Sequence, residues 1–578
     1  TLDLLLEIPG IEQLDDNMNL LGTGNTLVVI NGRRTNMSPK EMITYLSTLP
    51  PSLVKSIEVY YDAPPQFGVR GGVINVVLQR KRSDKLKVNG SAWTSVYQAK
   101  KYYQTAGAVL NLYQKKWMWE TGLSSGFMKS NKRHVFESYH SLDGTITEVN
   151  NVTKRYSNSS AMKLASRFNY DFSKKSKLDV SYIYRTDEPC YTSLSPLYMD
   201  GEQVSASLSD FDVAKKRHIF QANYAYQKLN VGGNFLYYKE VNTQDMCDVD
   251  DKERVLEAHV LQKVKDGDFY LNDSRSIGKG QLRYGVDMRW TDSRLDDHNH
   301  WLEEREGNEK RNNVQKEQNY EVYGGWVQKM GRLNLSAQLQ LSYYHSELQH
   351  NGQKMTLWNY VSLFPSATIN YKVTEASNLV FSMSTNRLSP PYSISSGRKA
   401  YFNTYISIAN SPLVEPYRSY DLHLNYVVKG RYTVGLYSSI APHKYTQLLY
   451  QDPKMLKASF EYFNLTRNED LGVLLVLPHN WTNRVMSRLS AFGLYRYQAG
   501  EFHGVSFDNG MVSGKFQLTN NAVLGKRKNL ALQLNTTYST KVMAAYAEDA
   551  AIFNSSFAMT WTPYHTGWSI ILKGTDLL

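Results

Sequence analysis

Cysteine is almost absent from this chain, and long apolar runs and repetitive segments are missing altogether. The only cysteines are Cys190 and Cys247. Their spacing does not suit a metal site, and it is consistent with either one disulfide or two free thiols. No run of about eighteen apolar residues exists, which excludes a transmembrane helix. No linker, low-complexity segment or solenoid repeat divides the 578 residues, so we expect one small unit and one large one.

The excess of positive charge does not indicate nucleic-acid binding. The net charge is +12, but many of the cations cluster in short turns instead of forming one stripe. These clusters are Lys115-Lys116, Lys174-Lys175, Lys429–Arg431 and Lys526–Lys528. We interpret them as solvated strand connections and expect no nucleic-acid partner. Attraction to anionic lipid head groups is a secondary hypothesis.

Strict alternation of apolar and polar residues dominates the chain after Lys81. Between Gln281 and Trp290 every even position is apolar, whereas every odd position is polar or glycine. Leu333 to Tyr343 repeats the pattern. A half-buried soluble sheet has the same period. The 42 tyrosines suit a membrane barrel with aromatic belts, although a large soluble β-protein could also be rich in tyrosine.

The lengths of the strand connections favour the membrane interpretation. Short turns such as Ser173–Ser176 and Lys329–Arg332 alternate with long polar stretches, which we predict as loops. These stretches are 129–158, 188–216, 292–318 and 388–415. The sequence therefore predicts an all-β fold, a large antiparallel transmembrane β-barrel with roughly 21 strands between Lys85 and Leu572. A complete barrel would have about 22 strands. Because Gly574–Leu578 is not an aromatic-terminated strand, we expect the last one to be missing.

The first eighty residues differ from the rest and predict a small α/β unit. A strand at Leu27–Ile30 leads into Asn31-Gly32, a dipeptide suited to positive φ. A helix should begin at Ser38 and end before Pro50-Pro51, with Met42, Ile43, Leu46 and Leu49 on one face. Strands at Lys55–Tyr60 and Val73–Leu78 complete the unit. We place the domain boundary between residues 1–82 and 83–578.

Several segments resemble TonB-dependent outer-membrane receptors, most closely the outer-membrane β-barrel family branch common in Bacteroidota. In the N-terminal unit they are Leu6–Ile11, Val29–Arg34, Leu49-Pro50, Ser56–Val59 and Gly71–Leu78. In the barrel they are Phe364–Ser366, Ser384–Tyr392 and Asn410–Pro416, where Ser411 is inserted into the family's Asn-Pro pattern. In these receptors the N-terminal unit is a plug inside the barrel. Since Thr1 opens directly into plug-like sequence with no signal peptide, we expect the N-terminus to be truncated.

The resemblance implies ligand uptake by plug gating in the cell outer membrane. TonB would pull on a segment ahead of Thr1, outer-membrane lipids would surround the barrel, and a surface lipoprotein is a candidate partner. The residues that match the plug motifs are Asn31, Gly32, Arg33, Glu58, Arg70, Gly71 and Gly72. For Asn31 and Gly32 we expect a role in turn geometry. The charged residues Arg33, Glu58 and Arg70 could pair with the barrel wall or remain solvated.

Other functions find less support in the sequence. No catalytic constellation is present, and we expect neither an enzyme nor a cofactor. Asp296, Asp297, His298 and His300 could ligate a metal, but a solvated surface cluster is the more common outcome and no metal site is predicted. Trp301 and Tyr392 could stack on a ligand or join an interfacial belt. Two alternatives stay open: a plugged barrel serving as a structural or assembly subunit without transport, and a soluble β-rich surface protein or enzyme.

Overall fold

The structure, a computed structural model, describes most of the chain. The described residues are 5, 8, 11–14, 17–20, 26–32, 42–43, 46, 54–60, 72–79, 83–98, 101–250, 253–302, 308–395, 397–429, 431–525, 529–545, 547–563 and 570–574. Within them, no helix is long and apolar enough to cross a membrane.

The N-terminal part forms two small sheets of its own. Strands β1 (Ile11–Leu14) and β2 (Asn17–Leu20) pair as an antiparallel hairpin. Strands β3 (Thr26–Ile30), β4 (Val54–Tyr60) and β5 (Gly72–Leu78) form a sheet in the order β3-β5-β4. The central strand β5 runs parallel to β3 and antiparallel to β4. Such a central strand is covered on both faces, which suits its nearly continuous apolar sequence.

An apolar core holds these small sheets together. Met42, Ile43 and Leu46 are helical, as predicted from their spacing. Met42 and Leu46 are buried in one cluster with residues of β1, β2 and β5, among them Ile11, Leu20 and Ile74. Leu49, the fourth member of the predicted face, lies outside the described residues.

Most of the remaining strands form a single antiparallel sheet of 21 strands, here called the barrel sheet. The first ten are β6 (Lys87–Gln98), β7 (Lys101–Tyr113), β8 (Trp117–Leu142), β9 (Thr145–Asp171), β10 (Ser176–Met199), β11 (Glu202–Tyr226), β12 (Leu229–Asp248), β13 (Arg254–Ile277), β14 (Gly280–Trp301) and β15 (Glu309–Met330). Then follow β16 (Leu333–His350), β17 (Gln353–Thr374), β18 (Ser377–Leu388), β21 (Tyr417–Val428), β22 (Tyr432–Ile440), β25 (Arg467–Asn480), β26 (Val485–Phe502), β27 (Val505–Leu524), β28 (Leu530–Ser539), β31 (Ile552–Trp561) and β32 (Ile570–Gly574). From β6 to β32 each strand pairs with the next in this list. The predicted strand number is confirmed.

The two faces of the barrel sheet are reversed relative to a soluble protein. Apolar side chains such as Leu339, Val322 and Phe220 are exposed. Polar side chains on the opposite face, such as Asp297 and Ser342, are buried. Because burying polar groups and exposing apolar ones is unfavourable in water, this arrangement suits a sheet whose outer face contacts lipid.

Three of the four predicted long loops are wrong. The stretches 129–158, 188–216 and 292–318 lie mostly in strands: β8 and β9 have 26 and 27 residues and meet at a tight turn at Asp143-Gly144. Outside a membrane both faces of a hairpin are wet, so the apolar half of the alternation disappears although backbone pairing continues. Of the four predicted loops, 388–415 is the one that leaves the barrel sheet, as do the segments after β22 and β28. The predicted short turns, by contrast, are present, for example at Ser173–Ser176.

Short strands outside the barrel sheet complete the fold. Strands β19 (Lys399–Tyr401), β20 (Ile406–Ala409), β23 (Tyr445–Gln451) and β24 (Ala458–Asn464) form a four-stranded sheet in the order β19-β20-β24-β23, here called the loop sheet. One helical turn, Tyr392–Ser395, precedes it. Strands β29 (Val542–Ala544) and β30 (Ala547–Asp549) form a small hairpin.

Candidate functional site

The predicted Asn31-Gly32 turn is fixed by hydrogen bonds to strand β5. Asn31 and Gly32 both have positive φ, 53° and 71°, a conformation that asparagine and glycine tolerate best. The Asn31 Oδ1 accepts a hydrogen bond from the Leu78 backbone N–H at 2.8 Å. The Gly32 N–H donates to Oδ1 of Asn75 at 2.7 Å. Turn geometry, the role expected for these two residues, is what the structure describes.

Asn75 connects this turn to the predicted residue Glu58. Its side chain is 3% exposed, and its Nδ2 donates to Oε2 of Glu58 at 2.8 Å. The Tyr60 hydroxyl donates to the same carboxylate oxygen at 2.9 Å. Thus one buried amide in the central strand bonds to both flanking segments. We call Asn31, Gly32, Glu58, Tyr60 and Asn75 the β5 network.

One residue of the β5 network, Tyr60, lies within electrostatic range of Arg283 in the barrel sheet. Burial raises the pKa of Tyr60 to about 12, the hydrogen bond and negative charge of Glu58 add to the shift, and the positive charge of Arg283 opposes it. The neutral phenol that donates to Glu58 is therefore favoured in the folded protein, and this stabilisation is lost as the pH rises through about 12. Arg283 belongs to the polar face of β14, five residues after Gly278 in the short turn before this strand. Tyr60 and the short-turn end of β14 are therefore close to each other.

The other predicted plug residues contribute less to this geometry. Gly72 begins β5 and pairs with Thr26. Arg33, Arg70 and Gly71 lie outside the described residues. Glu58 accepts the hydrogen bonds of Asn75 and Tyr60 within the N-terminal unit, and of these residues Tyr60 is the one affected by a barrel-sheet charge. Sequence analysis did not select Asn75 or Tyr60. The sequence signal that could have identified Asn75 is an asparagine within the otherwise apolar run Val73–Leu78.

The polar face of the barrel sheet carries a dense hydrogen-bond network. Asp421 accepts hydrogen bonds from Asn386, Ser419 and Ser439 at 2.6–3.0 Å. Arg496 holds Asp470 with two bonds of 2.8 and 2.9 Å. Such charge-assisted bonds fix the side chains while the face stays hydrophilic. This face can therefore contact a polar ligand.

Lys444 places an additional cation beside these carboxylates. It lies in the connection between β22 and β23, outside the barrel sheet. Burial lowers the pKa of Lys444 to about 8, and Arg496 adds to the shift, while Asp470 and Asp421 oppose it. Sequence analysis did not select this residue, because its neighbours come from strands distant in sequence.

A second motif noted in the sequence, Arg387 with Pro390, has a structural role. The Arg387 guanidinium lies 4.3 Å from the centre of the Tyr344 ring and 5.5 Å from that of Tyr360. It also donates to Oδ1 of Asn319 at 3.1 Å. Cation–π contacts of this kind hold a strand end against its neighbours. Tyr392 begins the helical turn that follows, and its side chain lies outside the described part of the chain.

The loop sheet is anchored to the long strands β8 and β14 by buried contacts. The His140 side chain of β8 is fully buried, with Nδ1 2.9 Å from the Tyr405 hydroxyl and Nε2 2.8 Å from the Asp452 carbonyl oxygen. Since a carbonyl only accepts, Nε2 carries the proton and Nδ1 accepts from Tyr405. Trp301 packs edge-on against Tyr401, with ring centres 4.9 Å apart. Trp301 is thus neither a belt residue nor a stacking platform.

Strand β19 of the loop sheet also has polar anchors. The Gln244 side chain donates to the Tyr401 carbonyl at 2.8 Å. Lys399 forms an ion pair with Glu309 at 3.1 Å. Together with the buried contacts, these bonds connect the loop sheet to β8, β12, β14 and β15. The loop sheet therefore reaches the side of the barrel sheet that is formed by the long strands β8 to β15.

The acidic and histidine cluster of β14 is divided by the pleat. His298 and His300 are exposed on the outer face, whereas Asp297 is buried on the opposite face beside Arg311 at 3.2 Å. Among the described residues no group of His, Cys, Asp or Glu could hold a metal ion. Cys190 and Cys247 are both free and lie on strands separated by β11. The free-thiol alternative is confirmed.

The fold and these faces define a membrane β-barrel, and sequence comparison identifies its family. Residues 211–578, more than half of the chain, match the outer membrane protein beta-barrel family. The chain belongs to this family, and its location is the cell outer membrane. The family resemblance found in the sequence motifs is confirmed. A comparison with curated protein sequences gives no match.

Solved structures of outer-membrane receptors share the fold. The siderophore receptor PirA from Pseudomonas aeruginosa has 12% identity and a TM-score of 0.59, covering 100% of this chain and 92% of PirA. The ferric yersiniabactin uptake receptor FyuA from Yersinia pestis has 10% identity and a TM-score of 0.62, covering 99% of this chain and 89% of FyuA. A mutant of the ferric enterobactin receptor PfeA from Pseudomonas aeruginosa has 11% identity and a TM-score of 0.60, with 100% and 90% covered.

Proposed function

We propose that this protein is a TonB-dependent outer-membrane receptor in which residues 1–82 plug a barrel formed by residues 83–578. One observation carries the proposal: Tyr60 of the N-terminal unit is close enough to Arg283, on the polar face of the barrel sheet, for the guanidinium to affect the pKa of the phenol. A barrel of this size would be an open channel if its lumen were empty. A folded unit in contact with the lumen wall is suited to closing it.

The β5 network gives the plug a way to remain folded while it is displaced. Its hydrogen bonds lie within the N-terminal unit, whereas towards the wall the neutral phenol of Tyr60 lies near the Arg283 guanidinium. Because only one of the two groups is charged, this interaction is worth no more than the roughly 0–1 kcal/mol of a surface ion pair. A pull by TonB on the N-terminus would break wall contacts before it breaks the network. The plug would then shift as a unit and open a path.

At the outward end, the loop sheet and the polar face would hold the ligand. Asp421, Asp470, Arg496 and Lys444 offer charges of both signs close together. A ligand that contacts both the loop sheet and the plug favours the closed state and loses contacts when the plug moves. The proposal involves binding and gating and requires no catalytic step. No observation within the described residues favours the alternative that the protein is a structural or assembly subunit.

The plug can be tested without knowledge of the ligand. The full chain and a variant that lacks residues 1–82 would be inserted into planar lipid bilayers, and single-channel conductance would be measured. We expect the full chain to be closed and the deletion variant to conduct. Heat-modifiable gel mobility would establish that the shortened barrel is folded. A full chain that already conducts as strongly as the folded deletion variant would contradict the proposal.

A further inference from the structure

A row of cations crosses the outer face of the barrel sheet. Lys216 of β11 is directly paired with Lys239 of β12, Lys239 with Lys263 of β13, and Lys263 with Arg294 of β14. Directly paired residues point to the same face of a sheet. Four positive side chains therefore stand side by side on consecutive strands. We call them the cationic row.

This row lies at the edge of the lipid-facing band. On the same strands and the same face, the apolar side chains Phe220, Phe235, Phe269 and Trp290 are between 41% and 49% exposed. Each lies four or six residues from the row, on the side of the short turns. Beyond the row, the strands continue away from the short turns for a further seven residues or more. The row therefore marks the level at which the barrel leaves the membrane on its long-hairpin side.

The cations of the row are poorly neutralised by the protein itself. Like charges directly opposite each other destabilise a sheet. Arg294 has a partner, Asp292, at 2.9 Å. Within the described part of the chain, no ion pair involves Lys216, Lys239 or Lys263. Next to the row, Asp292 of β14 is directly paired with Lys265 on one side and with Lys316 on the other.

We propose that the cationic row binds the phosphate groups of phosphorylated lipids in the outer leaflet of the outer membrane. A lipid head group with more than one phosphate would offset the repulsion along the row, while its acyl chains lie against the exposed aromatic and aliphatic side chains below. Because the row lies on the outer face, at the edge of the membrane, a lipid is the molecule that it would contact. The described basic turns Lys115-Lys116 and Lys174-Lys175 lie at the opposite rim. The proposal depends on the outer-membrane location and on the long hairpins facing outward, but not on plug gating.

The test uses the full chain in neutral detergent and bis-phosphorylated lipid A as the probe, with binding measured by native mass spectrometry. A triple variant, Lys216→Gln, Lys239→Gln and Lys263→Gln, should weaken binding at least about tenfold, since each cation near an anionic membrane surface contributes on the order of fivefold. The same three lysines changed to arginine should retain binding. Dephosphorylated lipid A should bind the wild type and the glutamine variant equally.

A matched control removes the same charge from the short-turn rim. Lys116→Gln, Lys174→Gln and Lys175→Gln change exposed side chains and should leave lipid A binding unchanged. Equal binding by wild type and row variant would overturn the proposal, as would an equal loss in the turn control. Saturation of the row by inorganic phosphate at the same concentration would also overturn it, because the site would then select a free anion. Heat-modifiable mobility establishes folding of each variant.

Discussion

The substitution Asn75→Asp should make the N-terminal unit sensitive to pH. In the wild type the Asn75 Nδ2 lies 2.8 Å from Oε2 of Glu58. The substitution replaces this donor by a second carboxylate and keeps the acceptor for the Gly32 N–H. Two carboxylates at this distance repel each other by about 6 kcal/mol at an effective dielectric constant of about 20. Binding one proton between them relieves the repulsion.

The magnitude follows from the cost of that proton. Each pH unit above the ordinary aspartate pKa of about 3.9 costs about 1.4 kcal/mol. The expected destabilisation is therefore about 1.5 kcal/mol at pH 5 and about 5.5 kcal/mol at pH 8. The folded state raises the pKa of the pair, so its stability falls as the pH rises. Asn75→Leu, the control, loses the same donor and the acceptor, and should cost roughly 2–4 kcal/mol at either pH.

Hydrogen–deuterium exchange of the β5 amides measures this effect. At each pH the variants are compared with the wild type, which removes the intrinsic pH dependence of exchange. We expect the excess exchange of Asn75→Asp to grow from pH 5 to pH 8, and that of Asn75→Leu to stay constant. Equal excess exchange of the aspartate variant at both pH values would show that Asn75 and Glu58 do not bond as described.

Two further predictions concern the barrel sheet and the loop sheet. In Gly267→Ala the new Cβ would overlap the Trp290 ring, so we expect a loss of about 1–3 kcal/mol and heat-modifiable mobility lost at a lower temperature. Gly324→Ala, where nothing lies within 4 Å of the new Cβ, is the control. Equal transition temperatures for the two variants would contradict the packing. Tyr405→Phe leaves Nδ1 of buried His140 without its hydrogen-bond donor, at a cost of about 1–3 kcal/mol. Added protease should therefore cleave the loop sheet faster than in the wild type, while the temperature at which heat-modifiable mobility is lost stays unchanged. An unchanged cleavage rate would refute the anchoring.

The sequence predicted those parts of the fold that depend on local pattern. The period of two identified the strands that face lipid, such as β14 and β16, because lipid and lumen impose opposite polarity on alternate residues. The helical spacing of Met42 and Leu46 and the positive φ of Asn31 were equally readable. The strand number followed from turn composition, since each short turn reverses the chain.

The long hairpins and the β5 network could not be predicted from the sequence, for opposite reasons. Beyond the membrane both faces of β8 and β9 are wet, so pairing leaves no trace in the apolar pattern. Asn75 stands in an apolar run, where its importance depends on partners 43 and 17 residues away. The cationic row needs the register of four strands, because no two of its members are neighbours in sequence.

Unequal strand length gives the mouth of the barrel a slope. Strands β8 to β15 have 20–27 residues, whereas β18, β21 and β22 have 12, 12 and 9. A surplus of about twelve residues at roughly 3.3 Å each raises one side by up to about 40 Å before tilt. The raised rim formed by β8 to β15 hinders lateral approach to the mouth of the barrel from that side. Large molecules at the cell surface would therefore reach the mouth more easily at the short strands β18, β21 and β22, next to which the segments of the loop sheet begin.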